Sequence, residues 1–443
     1  MSAAMRIALI SAHASPLAQV GGDDSGGQNV YVAEVARQLG RRGYRVDVFT
    51  RRDNALLPEV VEWQPNVRVV HLNAGPARFV PKEELLAHME AFSEALIAFS
   101  ARGGDPYDLA HANFFMSGLA AEQLTAVAGT PFVITFHGLA AVRRHWQGDN
   151  DRSPPCRHAI EKRLMRSATR VIAECPQDMT DMLTWCDAPA QRLALAPCGF
   201  DPLQFQPVER RIARRILGWP EHEYAVLQLG RLVPRKGIAN TIRGLAESLR
   251  HGVRDTRLYI MGGNSTRPDP LATPEIARLR EVAADAGVAA RVRFLGRVER
   301  EVLNVYYSAA DVFVTTPWYE PFGITPLEAM ACGTPVIGTR VGGIQYTVRD
   351  GATGLLVPPE DPARLGVALA ALYHDPARRR ALGAAGRVRA AEFTWNHVVD
   401  ALLRIYAEAL PAGKAARLAA PASPKVVPFL RRAAPRRAAP STP

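Results

Sequence analysis

Four charged side chains carry the most legible chemistry in this chain. Glu320 and Glu328 stand eight residues apart in Glu320-Pro-Phe-Gly-Ile-Thr-Pro-Leu-Glu328, and Ala-Met-Ala-Cys-Gly-Thr-Pro-Val follows. The first carboxylate is expected on a loop and the second in the first turn of the next helix. So placed, they can accept hydrogen bonds from hydroxyls on two different parts of one extended, polyhydroxylated ligand. Upstream, Gly230-Arg231-Leu-Val-Pro-Arg-Lys236-Gly237 directly follows an apolar run at residues 225–229. A guanidinium and an ammonium at the carboxyl end of a strand can face a single diphosphate, each charge-assisted hydrogen bond being worth about 1.5–3 kcal/mol. Arg235, between them, is expected to face solvent. A diphosphate and several hydroxyls on one ligand describe a sugar nucleotide.

Each pattern has a plainer origin to set beside it. Thr325-Pro326-Leu327-Glu328 has the form of a capping box, in which Glu328 would only finish a helix. The basic loop, taken alone, is an ordinary solvated turn. What sets the carboxylates apart is Pro321-Phe322-Gly323 between them and the basic loop upstream. Nearer the start, Ser11-Ala-His13 closes an apolar strand and leads to Gly21-Gly22-Asp-Asp24-Ser-Gly26-Gly27-Gln28-Asn29. Paired glycines at such a junction let backbone N–H groups approach a phosphate, and a helix N-terminus adds partial positive charge. The spacing matches neither G-x-G-x-x-G nor the P-loop form, which weighs against a dinucleotide enzyme or a P-loop NTPase. His13 and His137 each end an apolar strand, where a histidine is commonly structural. His137-Gly138 would lie across a cleft from Arg231.

These residues need a frame. Strand patterns at residues 6–11, 45–50, 131–136, 170–173 and 193–196 alternate with helical ones, including an amphipathic helix at 28–41. After the Pro/Gly-punctuated segment 197–207 the pattern restarts, with strands expected at 225–229, 257–261, 292–295, 312–315, 335–338 and 355–357. Short buried strands separated by helices predict an α/β protein of two doubly wound, Rossmann-like domains with parallel sheets covered on both faces. They are expected at residues 1–200, the acceptor side, and 201–390, the nucleotide-sugar side. Ligands of such folds bind beyond the carboxyl ends of the strands, so the cleft between the domains is the expected site. A last helix, about 391–410, is placed to pack back on the first domain.

With 443 residues the chain is long for one domain, and its 48% hydrophobic and 22% charged content is that of a soluble globular protein. The net charge of +11 favours anionic partners. No aromatic-interleaved basic strand supports nucleic acid among them. Residues 411–443 hold Lys414, Arg417, Lys425, Arg431, Arg432, Arg436 and Arg437 and no acidic residue. This Ala/Pro-rich segment is expected to be a disordered tail, with contact to an anionic membrane as a second reading. Five cysteines without a C-x-x-C pair or metal-ligand spacing fit a reduced cytosolic compartment. The apolar run after Met5 is too short for a signal peptide and reads as a first strand.

On Gly230-Arg231, Lys236 and the stretch from Glu320 to Val336, the chain resembles retaining glycosyltransferases of the GT-B fold, family 4, over about residues 5–410. That family includes inositol-phosphate N-acetylglucosaminyltransferases and sucrose-phosphate synthases. The resemblance implies that Arg231 and Lys236 hold the donor diphosphate and that Glu328 takes the ribose hydroxyls. It puts Glu320, Phe322 and Gly323 beside the transferred hexose, Gly27 under the phosphates and His137 near the sugar carbon where the bond breaks. His13, Asp24, Gln28, Asn29, Lys82, Phe114 and Arg157 fall on the acceptor side. Phe114 and Gly138 stand where the inositol-phosphate enzymes carry Tyr and Thr, and an Arg of theirs falls at Arg157 or His158. The acceptor is left unidentified, with Lys82 and Arg157 pointing to a phosphorylated or acidic one. The donor is expected to be a UDP-, GDP- or ADP-hexose. No metal or other cofactor is required, since fixed cations can meet the charge on the leaving group. A nucleotide-sugar epimerase and a non-catalytic sugar-nucleotide-binding subunit are the alternatives. The oligomeric state is unreadable.

Overall fold

The computed structural model describes residues 4–19 and 26–419. Val, Ile, Leu and Ala runs form fourteen strands among the described residues. They are β1 (Arg6–Ile10), β2 (Arg45–Arg51), β3 (Val60–Gln64), β4 (Val67–Leu72), β5 (Leu109–Asn113), β6 (Phe132–Thr135), β7 (Arg170–Ala173) and β8 (Leu193–Leu195) in the first half. The second half holds β9 (Tyr224–Leu229), β10 (Thr256–Met261), β11 (Val292–Gly296), β12 (Val312–Thr315), β13 (Val336–Thr339) and β14 (Gly354–Val357). The first sheet runs β3-β4-β2-β1-β5-β6-β7-β8 and the second β11-β10-β9-β12-β13-β14. The second is parallel throughout. In the first, only β3 is antiparallel to its neighbour. β3 is a half-buried edge strand turning at Asn66, whose φ of 65° suits the left-handed position of a tight turn. The β3–β4 hairpin and β5 are additions to the strands expected from sequence. The β5 segment Leu-Ala-His-Ala-Asn lacks the β-branched signal, yet all five residues are buried.

In each sheet the strand order reverses at the centre, between β1 and β5 and between β9 and β12. Loops leaving those carboxyl ends diverge and open a crevice. After β1 comes His13, after β5 Phe114, after β6 His137 and after β7 Glu174. The loop after β9 carries Arg231 and Lys236, and the one after β12 carries Glu320. All of these line a single cleft of about 1290 Å³ between the two sheets.

The helix Trp395–Ala409 crosses from the second half and lies on the first sheet. Tyr406 Oη meets His111 Nδ1 at 2.6 Å, Arg42 pairs with Asp400 at 2.6 Å, and Arg170 pairs with Glu408 at 3.1 Å. The expected loss of order at Pro411 is corrected by a further helix, Ala412–Ala419. Alanine supplies its propensity, Leu418 is buried, Tyr44 donates to the Leu418 carbonyl at 2.9 Å, and Lys414 reaches Asp108 at 3.1 Å. The rest of the basic segment lies outside the described residues. Among those residues no helix is long and apolar enough to cross a membrane.

Asp311, buried just before β12, holds the far end of the second sheet. It pairs with Arg210 and Arg214 at 2.6 Å and with Arg379 at 3.3 Å, and accepts the Ala225 N–H at 2.9 Å. Removing one member of a buried ionic group leaves its partners uncompensated. Asp311→Ala is therefore expected to cost about 3–5 kcal/mol in denaturant unfolding. A loss below about 1 kcal/mol would show that the three arginines find solvent or other partners.

Candidate active site

The donor side is built on two loops. After β9 the chain makes a short turn, Pro234–Lys236, and Gly237 follows at φ 67°. A Cβ at Gly237 would stand 1.8 Å from the Thr316 carbonyl oxygen, so only glycine lets the basic loop lie this close to the end of β12. The consequence is an ion pair between Lys236 Nζ and Glu320 Oε2. Arg235 stands 3.9 Å from the same oxygen and over the Tyr319 ring at 5.2 Å. Arg235 therefore faces the site rather than solvent, because the turn puts successive basic side chains on the Glu320 side. Burial alone would raise the Glu320 carboxyl, but Lys236, Arg235 and Arg231 outweigh it and hold it below its usual value. Burial pushes Lys236 down to about 8 against the pull of Glu320.

Arg231 reaches across the cleft. A Cβ on Gly26 would touch its Nε at 3.5 Å, so its guanidinium lies over the N-terminus of the helix Gly27–Arg41. Gly27 is thereby brought to the same place from the other domain, and a cation and the N-terminus of a helix converge there. Asp24 lies outside the described residues.

Glu328 is not a helix cap. The helix begins at Ile324 with Gly323, at φ 91°, in the capping position, two residues earlier than Thr325-Pro326 suggested. The Glu328 side chain is 1% exposed and accepts from Tyr307 Oη at 2.9 Å, while Arg300 approaches its other oxygen at 2.5 Å. Burial raises its carboxyl, with Arg300 and Tyr307 opposing. Phe322 turns its ring into the core, 6.2 Å from Phe393, so only its backbone is available to a ligand.

The acceptor side differs more from expectation. Arg157 is buried and fully engaged: Nε donates to Glu161 at 2.7 Å, one terminal nitrogen donates to the Gly138 carbonyl at 2.6 Å and the other to Ser153 at 3.2 Å. Its guanidinium covers the Phe114 ring at 4.6 Å, and His13 packs on that ring at 4.8 Å. Arg157 thus braces the cleft floor instead of offering a free charge. Asn29 is a cap: it accepts the Gly26 N–H at 2.9 Å and donates to the Ser15 carbonyl at 3.0 Å. Gln28 makes only long contacts, to Ser11 at 3.3 Å and the Asn113 carbonyl at 3.4 Å. Lys82 and Arg143 share Glu83 at 3.6 and 3.5 Å, and Arg143 also pairs with Asp151 at 2.7 Å.

His137 sits at φ 55°, between Glu174 and Asn113. Sequence reasoning missed both partners, although Glu174 directly follows a readable strand. It also missed Arg143 and Arg300, which come from helical segments with no motif. His158, Glu161 and Cys186 place donor atoms within 4.8 Å of one another. Both Glu161 oxygens are already taken by Arg157 and the Ala140 N–H, and Lys162 and Arg144 bear on His158, so the group reads as a brace.

Residues 25–203 match the family model for Glycosyltransferase Family 4, and residues 209–389 match that for Glycosyl transferases group 1. A D-inositol 3-phosphate glycosyltransferase of Corynebacterium jeikeium (strain K411) is 38% identical over 414 residues, which is 92% of this chain and 98% of that one. Its counterpart in Acidothermus cellulolyticus is 38% identical over 410 residues, 91% and 90% of the two chains. The solved sucrose-phosphate synthase from Thermosynechococcus elongatus is 36% identical, with a TM-score of 0.84 over 91% of this chain and 98% of that one. Fold and site define a GT-B glycosyltransferase, an enzyme that draws on a nucleotide sugar. Within that class, the chain belongs to glycosyltransferase family 4.

The position of Lys236 sets a pH dependence. An anion would be held by the ammonium, not the amine, so if Lys236 takes the donor phosphates kcat/KM should fall as pH rises through about 8, the value for the empty site. In the donor complex the diphosphate itself stabilises the proton, which moves the corresponding limb of kcat to higher pH. Lys236→Arg should lower activity but flatten the limb, and a limb unchanged in that variant would assign it to another group.

Proposed function

We propose that the protein is a retaining hexosyltransferase that moves a sugar from a nucleoside diphosphate hexose to a hydroxyl of a phosphorylated or acidic small molecule. The observation that carries this reading is the convergence of Arg231, Lys236, Glu320 and the Gly27 helix terminus on one cleft. Leaving-group departure builds negative charge on the phosphates and positive character on the sugar. The cations and helix terminus meet the first, and removal of one comparable donor costs about 10²–10³ in rate. Glu320 is placed to orient hydroxyls of the sugar, and Glu328 with Arg300 to receive the ribose. In this reading the leaving phosphate accepts the proton of the attacking hydroxyl, so no carboxylate nucleophile is needed. The relatives named for D-inositol 3-phosphate support a phosphorylated acceptor. Lys82 and Arg143, which line the cleft and share Glu83, are the cations assigned to it in this reading.

A screen of UDP-, GDP- and ADP-hexoses against phosphorylated and neutral polyols, following diphosphate release, tests the reading. Arg231→Ala and Lys236→Ala are each expected to lower kcat about 10²-fold or more in folded protein. Near-normal turnover in either would remove the diphosphate assignment. For the ribose role, Glu328→Gln should weaken donor binding about tenfold in calorimetry, because the buried carboxylate and its charge-assisted bonds are lost. Unchanged affinity would assign Glu328 to holding Tyr307 and Arg300 alone.

A further inference from the structure

We propose that Arg300 is a positioning residue that sets donor specificity at the nucleoside end of the cleft. Paired in charge with Glu328 but not hydrogen-bonded to it, Arg300 keeps one carboxylate oxygen open to a hydroxyl of the nucleoside's sugar. The site then favours ribonucleotide over deoxyribonucleotide donors. The inference deepens the ribose role given to Glu328 above and rests on it. Glu328 Oε2 is already taken, since Tyr307 Oη donates to it at 2.9 Å. Oε1 is different. A terminal nitrogen of Arg300 stands 2.5 Å from it, yet among the described residues no N–H or O–H is aligned on Oε1 as a hydrogen-bond donor. The contact supplies charge without supplying the bond. A buried acceptor normally has a donor, and leaving it without one is costly. Glu328 and Arg300 both line the cleft, so the missing donor is expected from the ligand, and a ribose hydroxyl is a donor of the right kind.

Arg300 is held from elsewhere and does not merely follow Glu328. It opens the short turn Arg300–Val302 after β11, and its carbonyl accepts from Gln204 Nε2 at 2.7 Å. Its guanidinium lies over the buried Phe205 ring at 4.9 Å, and that ring packs 6.1 Å from Tyr307, so one aromatic pair supports both neighbours of the carboxylate. Glu299 and Glu301, on either side of Arg300, line the same cleft. Those carboxylates disfavour a phosphate at this point and leave a neutral diol as the fitting group. Burial raises the Glu328 carboxyl, and the Arg300 charge is the strongest influence against it. Without the guanidinium the carboxyl would take up a proton more readily and meet the ribose as a neutral acid. Hydrogen bonds to a charged acceptor are about twice as strong as neutral ones, so selectivity for the hydroxyl would fall with the charge. A deoxy sugar leaves Oε1 unpaired in a dry site, and sites built to bond a hydroxyl reject the analogue that lacks it for this reason.

Calorimetric titration of UDP, GDP and ADP into the wild type finds which diphosphate binds, and its 2′-deoxy and 3′-deoxy forms follow. The wild type is expected to bind the ribose form about 10- to 100-fold more tightly than at least one deoxy form, the range a charge-assisted hydrogen bond gives. In Arg300→Met, which keeps an apolar stem on Phe205, that ratio should shrink by about five- to tenfold. Arg300→Gln carries the same expectation if Arg300→Met does not fold. Arg300→Lys should restore part of the ratio, as a packing role would not. In turnover the loss should fall on donor KM more than on kcat, because the nucleoside contact is the same before and during transfer. A ratio unchanged in a folded neutral variant, or a wild type that binds ribose and deoxy forms alike, overturns the proposal and leaves the glycosyl-transfer reading standing. Binding of none of the three diphosphates would instead remove the donor reading, and this inference with it.

Discussion

A carboxylate and an ammonium in contact line the cleft between the two sheets, where the proposed function puts an anionic ligand. An isolated lysine in this cleft would lose several kcal/mol of solvation and shed its proton. Glu320 opposes that loss, and the tight turn at Gly237 brings the basic loop against the end of β12. A second anion about 4 Å away, at an effective dielectric of about 20, contributes about 4 kcal/mol of Coulomb energy before its own desolvation. A diphosphate can therefore bind without the site being assembled first. Such preorganisation is what electrostatic catalysis needs, since no dipole has to be reoriented when charge develops.

The remainder of the fold serves to aim two such loops at each other. Each sheet splits its connections at the central strand, so each offers a crevice, and the two crevices face. Contacts across the cleft keep them in register: Gln147 donates to Tyr319 at 2.5 Å, the Cys175 thiol reaches the Pro321 carbonyl at 3.3 Å, and Gly138 admits Pro321 where a Cβ would sit at 3.3 Å. Behind them, the helix Trp395–Ala409 ties the second half to the first through Tyr406 and His111. The crossing helix is thus joined, by way of His111 and Asn113 on the same strand, to the residue that orients His137.

The strands of both sheets were largely legible because buried parallel strands are short apolar runs, and runs such as Val312–Thr315 have no competing helical period. That Gly230-Arg231 and Lys236 line the cleft was legible because they follow directly on an apolar run, at a strand's carboxyl end. β5 was not, since Ala, His and Asn become strand residues only through burial that local sequence does not announce. The same missing strand hid Asn113. Thr325-Pro326 misled because a good capping pattern competes with a glycine two residues earlier, and the loop geometry at Gly323 decided the outcome. Arg157 lines the cleft, but its guanidinium is engaged by neighbours that the sequence did not announce. Whether a guanidinium is spare depends on Glu161, four residues on, and on Gly138, which only the folded chain brings to it.

That engagement bears on what the acceptor pocket can recognise. Phe114 adopts φ 77°, a conformation costing on the order of 1–3 kcal/mol for a bulky residue, and its N–H is fixed to the Thr135 carbonyl at 2.8 Å. Its ring is clamped between the Arg157 guanidinium and His13, giving the floor an apolar, rigid surface. On the function proposed above, such a floor would select an acceptor by shape and by the less polar face of a ring, not by hydrogen bonding at that point. On the same reading, charge recognition falls to Lys82 and Arg143, where the ligand competes with Glu83 and, at Arg143, with Asp151. A dianion such as a phosphate monoester does that more readily than a single carboxylate, because it meets both cations with more charge and more acceptor oxygens.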